Sequence, residues 1–434
     1  MSRRVFASAV LLLVVMMCCG TGGAAATNNG ISRLRSLPKT YFFWRDKKDG
    51  ETVSSLRVPV LVEVNGGVFA VAEAQCPKEG EEGGFTGIAS ELLELTGQNP
   101  KEELDKTKLK TQVLEECSSG KEECPTQAVD EAGTKSGARI HVSKPTTVVQ
   151  RSDIYMLAGN YSFEGASDDQ AGGWGLMLVK GNVSNKEGEN NGIYWNDTYV
   201  IPWNYKVKQH ESLMRLIGSG GSGVKMEDGT LVFPLEGTRK KRNQGDGNEK
   251  DGKAVSLILH SKDNNSWKLP KGMSADGCGD PSVVNWEKDK LMMMTACDGG
   301  RRRVYESGDK GKSWTEALGT LSRVWGNKKG EKVELVGSGF TTAKIGDDRD
   351  VMLITLPVYS SKDGNGKGVL HLWLTDNTHI VDIGPVSGEE EDVAASSLLY
   401  KGGGGANKKD ELIALYEKES GDEDASLGMV SVLL

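Results

Sequence analysis

The sequence predicts an all-β fold of many short strands, and three observations carry that expectation. The first is the octet S-G-D-K-G-K-S-W, in which Ser307, Asp309, Gly311, Ser313 and Trp314 fall in the spacing S-x-D-x-G-x-[S/T]-W. In such a hairpin turn the aspartate accepts hydrogen bonds from nearby backbone amides, and the glycine supplies a positive φ. The tryptophan folds back as an apolar plug. The second is a worn copy of the same turn, S-K-D-N-N-S-W, with Ser261, Asp263, Ser266 and Trp267 in place and Asn265 where glycine is expected. Asparagine tolerates left-handed backbone better than most residues. Ser261 and Ser307 lie 46 residues apart, which suits the repeat of a four-stranded blade. The third is the recurrence of short apolar runs between Gly, Asn, Asp and Lys turns, the pattern of a sandwich or a propeller. The repeated plug favours the propeller.

Taken in order, the chain opens on Arg3 and Arg4, an apolar run from Val5 to Cys19 and the small residues Ala24–Ala26. This reads as a secretory signal peptide over residues 1–26, the run being shorter than the roughly 20 residues a transmembrane helix needs. The expected location is therefore the secretory pathway, at the cell surface or secreted, with no transmembrane segment. Residues 27–434 are long enough for one large β-domain or two. L-R-V-P-V-L-V-E-V, then Gly66-Gly67, then V-F-A-V-A-E-A predicts a hairpin. Residues 83–138 break the rhythm. The Lys- and Glu-rich stretch after Pro100, with scattered Leu and Val and Gly120 near its end, predicts a helix in a charged, partly helical insertion. Strands follow at 153–158, 174–180, 231–234, 255–260, 291–296, 304–306, 351–356, 369–374, 396–400, 411–416 and 428–434. Residues 239–251 and 402–409 read as loops.

The net charge is −8, or −10 without the two leader arginines, which argues against nucleic acid as a partner. Sequons at Asn160, Asn182, Asn196 and Asn264 are candidate glycan sites on exposed loops. Of the seven cysteines, five lie beyond the leader. An oxidising compartment favours pairing, with Cys117–Cys124 and Cys278–Cys297 the natural candidates and Cys76 left over. With five histidines and no ligand spacing, neither a metal nor any other cofactor is expected.

The octet resembles the Asp box of sialidases, and V-Y-E-S before it and L-S-R-V-W-G after it resemble the trypanosome trans-sialidase superfamily, in the branch related to 85-kDa surface glycoproteins. The likeness runs from about Ser54 to Leu434. It implies a six-bladed sialidase-type β-propeller, with the Asp box structural rather than chemical. For this branch it implies adhesion to host cell-surface or matrix glycoproteins, with sialoglycans as further candidate partners. Relatives continue into a lectin-like sandwich and an anchor signal, and no such domain is expected before Leu434.

The resemblance also implies a pocket of three arginines, an acid/base aspartate and a tyrosine nucleophile helped by a glutamate. An anionic sugar calls for bidentate guanidinium contacts, and a phenol needs a carboxylate beside it. Carried over residue by residue, the first arginine is Arg57 in S-L-R-V-P, and the acid/base position is Glu73 in A-E-A-Q. A second pocket aspartate becomes Lys144 in S-K-P-T. The glutamate in G-C-x-E-P becomes Asp280. The second arginine falls at Ala296, with Arg301, Arg302 and Arg303 close by, and the third falls at Lys367. The sugar-stacking tryptophan falls at Asn365. The nucleophile falls at Ala395, and Glu417 in L-Y-E is unchanged. Each lost charge-assisted contact is worth roughly 1.5–3 kcal/mol, and an alanine supplies no nucleophile. The expectation is a catalytically degenerate protein. The alternatives are a weak exo-α-sialidase or trans-sialidase, and a sialoglycan-binding lectin.

Overall fold

Runs such as Leu291–Met294 bury every side chain, which happens when a strand is covered on both faces. The arrangement that meets this demand is a ring of sheets, each packed between two neighbours. The computed structural model describes residues 41–433, apart from 78–83, 96–100, 118–137, 163–173, 184–191, 203–211, 240–251, 318–320, 347, 360–365, 404–409 and 421–423. The leader and most of both loop tracts lie outside these residues.

The described strands form six blades. Blade one runs outward through Ser55–Val64, Gly67–Cys76, Phe85–Leu92, Lys110–Cys117 and Tyr41–Asp46. Blade two holds Thr146–Gln150, Asp153–Ser162, Trp174–Val183 and Ile193–Pro202. Blade three is built on Leu213–Gly218, Val224–Lys225, Leu231–Arg239 and Lys253–Ser261. Blade four contains Cys278–Trp286, Lys290–Cys297, Arg301–Ser307 and Thr315–Glu316. Blade five contains Gly339–Ile345, Arg349–Tyr359, Gly368–Thr375 and Ile380–Pro385. Blade six contains Asp392–Lys401, Glu411–Ser420, Asp424–Leu433 and, on its outer edge, Lys101–Glu103.

Apolar seams close the ring. Val60 and Val62 meet Met156 and Met177 between blades one and two, and Leu157 and Leu176 meet Phe233 between two and three. Val232 and Ile258 meet Val283 and Met293, Met292 and Met294 meet Ile354, and Leu353 meets Leu398 and Leu412. Ile413 and Leu415 complete the circle on Leu61 and Ala70. Each buried Leu, Ile, Val or Met contributes about 1.5–3 kcal/mol against exposure.

The helix expected after Pro100 is absent. Lys101–Glu103 and Lys110–Cys117 are strands, and no described residue is helical. The composition favoured a helix, but Lys110–Cys117 has ladder partners on both sides, Phe85–Leu92 and Tyr41–Asp46. Burial of Val113 and Leu114 and pairing of Glu115 with Arg45 at 2.6 Å settle the competition. Far from being an excursion, this segment supplies outer strands to two blades.

Both Asp-box turns form. Asp309 accepts from the Ser313 amide at 3.0 Å and the Ser313 hydroxyl at 2.7 Å, and Ser307 accepts from the Gly311 amide at 2.9 Å. Gly311 has φ 76°. In the worn copy the left-handed residue is Asn264, φ 59°, the counterpart of Lys310, φ 57°, and Asn265 at the glycine's place is not left-handed. Its Trp267 is fully buried, whereas Trp314 is half-buried. Cys278 and Cys297 form a disulfide and Cys76 is a buried free thiol. The other bridge falls on Cys124, outside the described residues. The sequons do not sit on exposed loops as expected. Asn182 and Asn196 are exposed but lie on adjacent strands, 3.0 Å apart through their amides. Asn160 is a half-buried strand residue, and the Asn264 amide in its turn donates to Gln150 and Tyr155.

Candidate functional site

Three innermost strands begin or break at a residue followed by proline: Val58-Pro59 in blade one, Lys144-Pro145 before blade two, and Asp280-Pro281 in blade four. Proline offers no amide to the ladder, so pairing lapses there. Register slips between Arg57 and Val60, and between Gly279 and Ser282. The residue before each proline has positive φ: 53° at Val58, 45° at Lys144, 44° at Asp280. Such backbone is strained for residues with a Cβ and persists only where the surroundings hold it.

What holds it is a carboxylate. The Val58 amide donates to Glu417 at 3.0 Å, the Lys144 amide to Glu73 at 3.0 Å and the Asp280 amide to Glu236 at 2.9 Å. Each glutamate stands on the second strand of the preceding blade. A charge-assisted hydrogen bond of this kind contributes about 1.5–3 kcal/mol. The three clamps bend the backbone inward around one cavity of about 250 Å³. Arg57, Lys144, Asp280, Ala395, Glu417 and Glu419 are on its wall.

The charges are interlocked. Arg57 Nη1 lies 3.5 Å from Glu417 Oε1. Burial pushes the Glu417 carboxyl up from its ordinary value, against the pull of the Val58 amide and Arg57. Lys144 Nζ donates to Asp280 at 2.9 Å and lies 3.6 Å from Glu236. Burial disfavours its charge, but the two carboxylates hold Lys144 above its usual value. Two carboxylates share that one ammonium, so burial and the neighbouring Glu236 leave Asp280 raised.

Not every expected residue joins this group. Ala296 is fully buried, paired across the strands with Gly279 and Arg302, and does not line the cavity. Lys367 is exposed, 2.8 Å from Glu390, and is likewise not on the wall. Asn365 lies outside the described residues. Arg302, cross-strand from Ala296, is 1% exposed. Its Nη1 donates to the Val336 carbonyl at 2.8 Å, while Nε and Nη2 find no partner among the described residues. Burial lowers its pKa to about 10. It does not open into the cavity, so it does not replace a guanidinium at Ala296.

No tyrosine, cysteine or histidine is among the described residues that line the cavity. The wall hydroxyls of Ser396 and Ser397 accept from the Gly339 and Leu61 amides, and Ser282 donates to the Ser338 carbonyl. No phenol or thiol therefore stands beside Glu417 on the described wall. The residues missed from sequence are Glu236, Glu419 and Ser338. Glu236 had a usable signal, a lone carboxylate inside the apolar run L-V-F-P-L-E.

A model of the BNR repeat-like domain matches residues 58–417, most of the chain. The chain belongs to the BNR-repeat sialidase family. Within it, relatives and structural neighbours place it in the trans-sialidase superfamily. It is 35% identical over 252 residues to "Sialidase 85-1.1" of Trypanosoma cruzi, a match covering 56% of this chain and 32% of the relative. To a second T. cruzi sialidase it is 32% identical over 258 residues, covering 58% and 21%. Trypanosoma rangeli sialidase, solved with the inhibitor DANA and with sialic acid, superposes with a TM-score of 0.61 at 27% identity. That alignment covers 91% of this chain and about 60% of the neighbour. The chain thus spans about a third or less of those curated T. cruzi relatives. On this BNR-repeat propeller, Ala395 presents only a methyl group to the cavity.

Proposed function

We propose that this chain is a catalytically degenerate member of its family, a secreted or surface glycoprotein that uses the propeller for adhesion to host cell-surface or matrix ligands. The observation that supports the loss of turnover is the cavity wall, where Ala395, the position to which the resemblance assigns the nucleophilic phenol, carries only a methyl group and no tyrosine is among the described lining residues. Removing a principal catalytic residue commonly lowers turnover by roughly 10⁴–10⁶. The surface role is supported by the leader-like N-terminus, the two exposed sequon asparagines Asn182 and Asn196 and the resemblance to the 85-kDa branch. A sialoglycan-binding lectin is the second reading, favoured by Arg57, which remains on the wall as a guanidinium able to meet a carboxylate.

The decisive experiment is a sialic acid release and transfer assay on the full secreted chain, with Ala395→Tyr assayed in parallel. The expected result for the unaltered protein is no product above background. Turnover by the unaltered protein sinks the degenerate reading. Binding of the chain to cultured cells before and after enzymatic desialylation separates the adhesion reading, in which binding persists, from the lectin.

A further inference from the structure

A second hollow, of about 460 Å³, lies where the outer strands of blades one and two meet, and it shares no residue with the central cavity. Asp46 ends one of those strands, Lys110 begins another, and Tyr194 stands on Ile193–Pro202 of blade two. All three are on the wall, with Lys47 and Lys108. The seam is fixed on both sides of Tyr194. The Ile193 amide donates to Ser90 Oγ at 3.1 Å, and the Trp195 amide donates to Gln112 Oε1 at 3.0 Å. The Lys47 amide is held by the Thr111 carbonyl at 2.9 Å. A wall fixed in this way loses little freedom when a ligand arrives.

Lys110 decides what the hollow takes. Its side chain is only 8% exposed, and its ammonium sits 3.2 Å from the centre of the Tyr194 ring. Its stem runs so close to Gly192 that a Cβ there would lie 2.7 Å from Lys110 Cδ. The ammonium has three donors, yet it makes no hydrogen bond to an oxygen among the described residues. Its one ion pair there is with Asp46 at 3.5 Å, a carboxylate that is itself 65% exposed. Nζ is not sealed in, so an acceptor entering the hollow can reach it. A buried cation short of acceptors favours an anion that supplies them. The other wall charges agree. Lys108 is 73% exposed and reaches only Asp105 at 3.7 Å, and Lys47 has no ion pair among the described residues. Three ammoniums thus face one wall carboxylate, Asp46, and no arginine is among the described lining residues. Ammoniums are point charges, suited to an ester oxyanion with three terminal oxygens rather than to the two-pronged grip a carboxylate draws from guanidinium.

We propose that this hollow is a second binding site, for a sugar that carries a sulfate or phosphate ester, with the oxyanion on Lys110 and with Lys108 and Lys47 beside it. A volume of about 460 Å³ is many times the roughly 30 Å³ share of one water, so it holds the sugar as well as the ester. The site is independent of turnover or binding at the central cavity.

The test is calorimetric or NMR titration of the full chain with N-acetylglucosamine 6-sulfate, N-acetylglucosamine 6-phosphate and N-acetylglucosamine itself. The same titrations are run on Lys110→Met, Lys108→Gln and Asp46→Asn, each checked for unchanged melting. The expected result is saturable binding of at least one ester that weakens as salt rises, with the tighter ester naming the source of the oxyanion. Affinity falls roughly tenfold in Lys110→Met and roughly three- to fivefold in Lys108→Gln, and rises about two- to threefold in Asp46→Asn. Should Lys110→Met fold poorly, the other two variants, both at exposed side chains, carry the test. Binding of neither ester overturns the proposal, as does equal binding of unesterified N-acetylglucosamine. Affinity unmoved in Lys108→Gln and Asp46→Asn overturns it as well. Sialoside turnover is read separately, so a failure of the degenerate reading is distinguishable from a failure of this site.

Discussion

Glu417 does two jobs at once: it takes the Val58 amide at 3.0 Å and faces Arg57 at 3.5 Å, while burial raises its carboxyl above the ordinary 4.5. A carboxyl raised in the folded state stabilises fully below its unfolded value, and that contribution is lost as pH rises through the folded value. Glu417→Gln keeps an oxygen for the Val58 amide and removes the titration. The melting temperature of Glu417→Gln relative to the unaltered chain is therefore expected to rise between pH 5 and pH 8. A flat or falling difference across that range, followed by thermal unfolding, contradicts the burial argument. At this scale much of the site was legible. Arg57, Lys144, Asp280, Ala395 and Glu417 do meet at one cavity, because motif residues flanking strand breaks converge where the breaks converge. Glu419 was not legible, since nothing local marks a surface-reading residue that strand alternation turns toward a cavity, and Ser338 was not, since it lies in the irregular stretch before Gly339–Ile345.

At the scale of the element, the clamp between a glutamate and the strained amide of the next blade explains why Glu73 is a carboxylate without invoking proton transfer. Glu73→Ala is expected to cost about 1.5–3 kcal/mol in denaturant unfolding, while Glu73→Gln, still an acceptor for the Lys144 amide, loses less than half of that. Equal losses in the two variants count against the clamp. Strands were well marked wherever apolar runs were flanked by turn residues, as at Lys290–Cys297 and Glu411–Ser420. Lys110–Cys117 was misread because its Lys- and Glu-rich composition speaks for a helix, and its decisive partners, Phe85–Leu92 and Tyr41–Asp46, lie elsewhere in the chain. Propensity is a weak prior when a sheet edge is waiting.

For the whole molecule the informative piece is Lys101–Glu103, which pairs with Val430, Met429 and Gly428 and covers the outer edge of blade six. Lys418 adds an ion pair to Glu103 at 2.8 Å. Deleting residues 101–103 exposes the ladder groups of Asp424–Leu433, and unprotected edges invite association. The deletion is expected to give concentration-dependent aggregation by light scattering while the remaining strands keep their circular dichroism. A monodisperse deletion variant argues that this edge needs no cover.

The same pairing sets an order of events during synthesis. Glu103 meets Gly428, so a strand made early waits for a partner made more than three hundred residues later. At roughly 5–20 residues per second, that wait is on the order of tens of seconds. Until the last blade emerges, the nascent ring is an open crescent with two raw ends, and it is in that interval that the cell's folding helpers have something to hold.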